Sequence, residues 1–117
     1  MSTTDPVDRY YDAWKHRQGD MTEVPLDDHF RFTGPIASFD SATGFREMAA
    51  RAGPMVRSFR VRHQFRDGDL VVSIIDWEMA GVAGTLTSAE LLEVEAERLV
   101  RGELIYDAED LRRATAP

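Results

Sequence analysis

Two residues of this 117-residue sequence have the types and the setting for proton chemistry, Asp76 and His63. Asp76 interrupts an otherwise apolar run, VVSIIDWEM over residues 71–79. A carboxylate drawn onto an apolar face loses hydration, its pKa climbs, and it becomes a proton donor or acceptor near neutral pH. His63, in RVRHQFR, has the side chain to share that proton or to polarise a substrate carbonyl. Each has a plain structural counterpart. A buried aspartate can be satisfied by a backbone amide, Tyr10 or an arginine, and a histidine among Phe59, Val61 and Phe65 can simply pack.

Around this pair the sequence offers a ligand-binding set. Tyr10, Tyr11 and Trp14 lie on one apolar helical stripe with Val7, and Phe59 shares the strand of His63. Thr33 and Tyr106 are rim groups. Other chemistries find no footing. His16, His29 and His63 lack metal-ligand spacing, and the chain has no cysteine, so no metal and no cofactor are expected. No phosphate-binding glycine loop or G-x-S-x-G elbow occurs. Lys15 is the one lysine and limits Schiff-base chemistry to that position.

The elements that must position these groups read as helices first and hairpins after. Asp5-Pro6 caps a first helix that Gly19 ends, and a shorter helical piece follows Asp20. HFRFTGP alternates as a strand, and Asp40 or Ser41 caps a helix whose apolar face is Phe45, Met48, Ala49 and Ala52. Gly53-Pro54 stops it. Residues 58–81 form two alternating runs about Asp67-Gly68, a hairpin signal, and residues 85–107 form a second hairpin with Ala96-Glu97 at its tip. Asp107 caps a short last helix. The fold class is therefore α+β, a curved sheet wrapped on helices.

A two-residue Asp67-Gly68 turn sets His63 opposite Val72 and Phe59 opposite Asp76. Phe59, Val61, His63, Phe65, Val72, Ile74 and Asp76 then share one face, the more apolar one, which should meet the helices. A bulge near the turn would flip one strand and separate them. The opposite face carries Arg60, Arg62, Ile75 and Trp77, where arginine stems lie over the indole at a solvated surface or a second copy packs. Glu90 and Glu93 enter the pocket if the second hairpin has the opposite phase. Otherwise both are solvated.

The length bounds the chain to one domain over residues 1–117. A formal net charge of −7 argues against nucleic acid as the partner. No apolar run approaches the ~20 residues of a membrane span, and the start shows no secretory signal. A cytoplasmic location is expected.

In this order and spacing, RYYDAW…GD, DDHFRFTGP, VRHQFRDGDLVVSIIDWEM and LVRGELIYDAEDL resemble the nuclear transport factor 2-like superfamily, specifically its SnoaL-like bacterial branch. The resemblance covers nearly the whole chain. It implies a cone of curved mixed sheet and helices enclosing a pocket, often in a homodimer packed through the outer sheet face. It also implies a small hydrophobic ligand, with Asp76 as general acid/base for isomerisation, cyclisation or epoxide opening. The other reading is a non-catalytic ligand-binding or dimerisation module with a vestigial pocket. Against ketosteroid isomerase, Tyr10 or Tyr11 matches the oxyanion-hole tyrosine, while the base falls at Gly34 and the second acid near Ala89. Against limonene epoxide hydrolase only Asp76 matches, in Ile74-Ile75-Asp76, and the last-strand aspartate falls at Leu104.

Overall fold

The fold is that of a computed structural model describing residues 5–115. Helix α1 spans Pro6–His16, and the Asp5 Oδ1 accepts from the Val7 amide at 2.8 Å, with proline at the first position as the sequence demands. Helix α2, Ala42–Ala52, is capped by Ser41, whose Oγ accepts from the Gly44 amide at 3.1 Å. Between them the expected short helix is absent. Residues 20–25 form a turn, with the Asp20 carboxylate accepting from Thr22 and Arg46 of α2 donating to the Met21 and Val24 carbonyls. The pieces meet so closely that a Cβ on Gly53 would lie 1.7 Å from the Gln18 carbonyl oxygen.

Strands β1 (Leu26–Thr33), β2 (Ser38–Phe39), β3 (Val56–Asp67), β4 (Leu70–Met79), β5 (Leu86–Glu95) and β6 (Arg98–Ile105) form one sheet in the order β2-β1-β6-β5-β4-β3. Only β1 and β6 run parallel, and the sheet is curved and unclosed. Helix α3, Glu109–Thr115, follows Asp107, whose carboxylate accepts from the Glu109 amide at 3.0 Å. Ala96 and Glu97 at the second hairpin tip both take positive φ, which lets a two-residue turn follow the strand twist without glycine. The α+β expectation holds.

The core fills the concave side of the sheet. Val7, Tyr10 and Tyr11 of α1 and Phe45 and Ala49 of α2 are buried against Phe30, Ile75, Leu92 and Leu99. Phe45 sits within 6.4 Å, ring centre to ring centre, of Tyr10, Phe30, Phe32 and Phe39. Burying one such ring is worth about 1.5–3 kcal/mol.

The register of the β3–β4 hairpin departs from the expected one, and this decides the site. Asp67 pairs with Leu70, so Gly68 and Asp69 make the turn, one residue later than expected. Val61 pairs with Ile75 but His63 with Ile74, which leaves Arg62 as an extra, bulged residue. Phe59 and Val61 keep the inward direction. Their partners there are Trp77 and Ile75, while Val72, Ile74 and Asp76 turn outward with His63 and Phe65. Both faces of VVSIIDW are apolar, so alternation could not choose between them.

Candidate functional site

The inner face and the helices leave an apolar cavity of about 290 Å³. Tyr10 and Trp14 reach it from α1, Met48 from α2, Phe59 and Trp77 from the first hairpin, and Leu104 and Tyr106 from the sixth strand and its exit. Among the described residues one charged side chain lines it, Glu90. Its direction follows from β5–β4 pairing: Leu86, Ser88, Glu90 and Leu92 sit opposite Trp77, Ile75, Ser73 and Val71, all on the concave side.

Glu90 is 3% exposed, and its Oε2 accepts from the Tyr10 hydroxyl at 2.7 Å. Among the described residues no ion pair includes it. Burial pushes its pKa up to about 7, against the pull of the Tyr10 and Tyr11 hydroxyls. The two tyrosines are held well above their ordinary pKa, by burial first and by the Glu90 charge second. Tyr11 directs its buried hydroxyl toward Ser73 and Glu90 without a hydrogen bond of good geometry to either. Ser73 accepts from the Gln64 amide at 3.1 Å, and Trp77 Nε1 donates to Ser88 Oγ at 2.7 Å. Those bonds explain how two serines are buried within an apolar wall. A carboxyl that is half ionised near neutrality, in a cavity otherwise apolar, can give or take a proton.

A larger hollow, about 720 Å³, lies between α1 and β3. It is an open polar groove holding charges of both signs, among them Asp8, Asp12, Lys15 and Arg62, where solvent screens each group. Among the described residues no three His, Asp or Glu side chains converge to hold a metal ion.

A family model for the SnoaL-like domain matches residues 7–102. The chain belongs to the SnoaL-like family. Its SnoaL-like cone is shared by a hypothetical protein with a ketosteroid isomerase-like fold from Catenulispora acidiphila, solved in complex with trimethylamine (TM-score 0.76, 16% identity, 97% of this chain and 94% of that one). An LEH-like epoxide hydrolase from M. tuberculosis matches at TM-score 0.71 and 14% identity, over 93% of this chain and 85% of its own. A candidate SnoaL-like polyketide cyclase from Shewanella putrefaciens matches at TM-score 0.73 and 14% identity, over 99% and 87%. At such identities the likeness establishes the fold alone. Among curated proteins none matches this sequence.

Within this SnoaL-like cone the expected site residues separate. Tyr10, Trp14, Phe59 and Tyr106 line the cavity. Tyr11 is buried beside Glu90 but outside the lining, and Thr33 is exposed on β1, away from it. The inward direction expected of Asp76 and His63 is corrected. His63 is exposed on the outer side of β3. The Asp76 carboxylate, on the convex face, accepts from Arg62 at 3.0 and 3.3 Å and from Thr87 at 2.8 Å. Those bonds, the one from Thr87 foremost, hold its pKa below the ordinary carboxylate value. The bulge at Arg62 splits the expected face, keeping Phe59 and Val61 inward and carrying His63 and Asp76 outward. The later turn moves each cross-strand partner by two positions and leaves the faces as expected.

Glu90 was legible only as an alternative phase of β5, and the structure realises it. Glu93 instead pairs with Arg101 at 2.9 Å. Ketosteroid isomerase alignment fell on Ala89, one residue short of the inward acid. A usable signal was present in α1: two adjacent tyrosines on a buried stripe need a polar partner across the core, and β5 supplies it.

Proposed function

We propose that the protein binds a small hydrophobic molecule in the cone cavity and that Glu90 acts on it as general acid/base. One observation carries the reading: a carboxyl without a cationic partner, pushed to about pH 7, lines an otherwise apolar cavity. Tyr10 holds the ionised form through its hydroxyl, and Tyr106 offers a second polar group near the cavity exit. Isomerisation, cyclisation and epoxide opening each need a proton delivered or removed in a site that excludes water, which this arrangement supplies. The relatives named above differ in assignment and share the cone, which supports a small molecule held there and leaves the reaction to the residues of this chain.

The test is turnover of a substrate recovered from gently purified protein. Glu90→Gln should lower kcat by roughly 10²–10⁴-fold, the range of general acid–base contributions, while the ligand still binds. Unchanged kcat would overturn the acid–base role. A second reading, a ligand carrier without turnover, draws on the cavity lining, which among the described residues holds no second carboxylate and no histidine. Wild-type protein that retains its ligand unchanged through prolonged incubation would favour it.

For the oligomer we propose a homodimer through the convex sheet face. The motivation differs from the arginine–tryptophan pairing of the sequence reading, because Trp77 points inward. It is the row Phe65, Val72, Leu91 with Ile74, Ala89 and Ile105, of which Phe65 is 63% and Ile105 60% exposed. Sedimentation at the monomer mass would remove this proposal.

A further inference from the structure

We infer that the cavity is built for a ligand bearing an organic ammonium group, held over aromatic faces with Glu90 as its counter-ion. The inference rests on reading the cavity as a ligand site and not on turnover. Three observations converge. Trp14 and Phe59 stack with ring centres 6.2 Å apart, and Trp77 and Tyr106 meet edge to face at 5.3 Å. Phe59 and Trp77 are cross-strand partners, so the two pairs form one continuous aromatic wall. Glu90 stands on the neighbouring strand, opposite Ser73, and among the described residues no basic one lines the cavity.

The chemistry discriminates between ligand classes. A carboxylate or phosphate ligand would meet a like charge with no cation to offset it. A neutral apolar ligand would fill the space but leave the ionised Glu90 carboxylate with the Tyr10 hydroxyl and no counter-ion, at a cost that burial makes large. An ammonium ion removes that cost, and its alkyl substituents lie against ring faces that attract cations. Arg112 acts on Tyr106 but does not line the cavity, and its guanidinium donates to the Pro35 carbonyl at 2.8 Å. The cavity volume, about 290 Å³, equals roughly ten waters, room for a substituted amine and not for a peptide.

The titratable groups facing Glu90 are Tyr10 and Tyr11 of α1, with Tyr106 farther along the cavity, and all three are shifted upward and stay neutral. Ammonium binding should therefore follow Glu90 alone, strengthening as pH rises through about 7.

The experiment compares trimethylphenylammonium with its neutral isostere tert-butylbenzene. The chain's two tryptophans, Trp14 and Trp77, both line the cavity and report occupancy by fluorescence. At pH 8.5 the cation should bind at least tenfold more tightly than the isostere. That preference should collapse at pH 5.5 and in Glu90→Gln. In Tyr10→Phe, which keeps the carboxyl but loosens its ionised form, it should appear only at higher pH. Equal or tighter binding of the isostere at pH 8.5, or a preference that survives in Glu90→Gln, overturns the inference. If Glu90→Gln fails to fold, the wild-type pH series and Tyr10→Phe decide it. Loss of turnover in Glu90→Gln without any cation preference would sink this inference and spare the acid–base role. A preference with unchanged turnover would do the reverse.

Discussion

Asp76 and Glu90 lie on adjacent strands of one sheet and differ in almost every physical respect. Asp76 faces out, accepts three hydrogen bonds from Arg62 and Thr87, and titrates below the ordinary range. Glu90 faces in, accepts from Tyr10, has no cation, and titrates near 7. The contrast shows that a carboxylate's chemistry is set by which side of the sheet it occupies, not by how apolar its sequence neighbours are. Asp76 has the more apolar neighbours, Ile75 and Trp77, and those point away from it.

The largest effect that sharpens this contrast is on stability against pH. The Glu90 pKa is raised, so the folded state holds a proton up to about pH 7 that the unfolded chain releases near 4.5. Its contribution is fully present below pH 4.5 and lost as pH rises through 7, about 3 kcal/mol over the window. Glu90→Gln should remove that slope, so its stability advantage over wild type grows from pH 4.5 to pH 8. Urea denaturation of both proteins at several pH values measures it, and parallel curves would show that Glu90 titrates normally.

Next is Tyr10→Phe, which keeps the ring and removes the one hydroxyl bonded to Glu90 Oε2. It should cost about 1.5–3 kcal/mol above pH 8, where the acceptor is charged, and less near pH 5. It should also raise the Glu90 pKa further, visible in the carboxyl carbon shift by NMR. An equal loss at both pH values would mean the hydroxyl serves packing only.

A smaller effect belongs to the outer face. Thr87→Ala removes the strongest contributor to the lowered Asp76 pKa and should move it back toward the ordinary value, again by carboxyl NMR. No movement would assign the shift to Arg62. Least of all, Asp76→Asn should leave turnover unchanged, with a small stability loss at neutral pH that fades as acid protonates the native carboxylate. Loss of activity comparable with Glu90→Gln would break the comparison outright.

Much of the architecture was legible because short-range chemistry specifies it. Asp5-Pro6, Ser41 and Asp107 cap helices where their types require, and Ala96-Glu97 turns the second hairpin as read. The piece after Asp20 was misread as helical because its backbone groups are satisfied by Asp20 and by Arg46, the latter bonding to Met21 across 25 residues of sequence. Of the ligand set, Tyr10, Trp14, Phe59 and Tyr106 were found by type and spacing. The acid was not. β4 is apolar on both sides, and β5 alternates Leu86-Ser88-Glu90-Leu92 against Thr87-Ala89-Leu91-Glu93, so each phase holds one glutamate.

By itself the sequence determined the caps that start the three helices, the existence of the two hairpins, the α+β class and the aromatic residues available to a cavity, since each follows from neighbours a few positions apart. Only the tertiary structure decided which carboxylate the cavity receives. Strand period is two, so the unpaired Arg62 inverts the direction of the strand beyond it, while the later turn moves partners by two and inverts nothing, and local pattern is blind to the bulge. The helices then select the phase that lets Tyr10 meet Glu90, a contact across 80 residues of sequence.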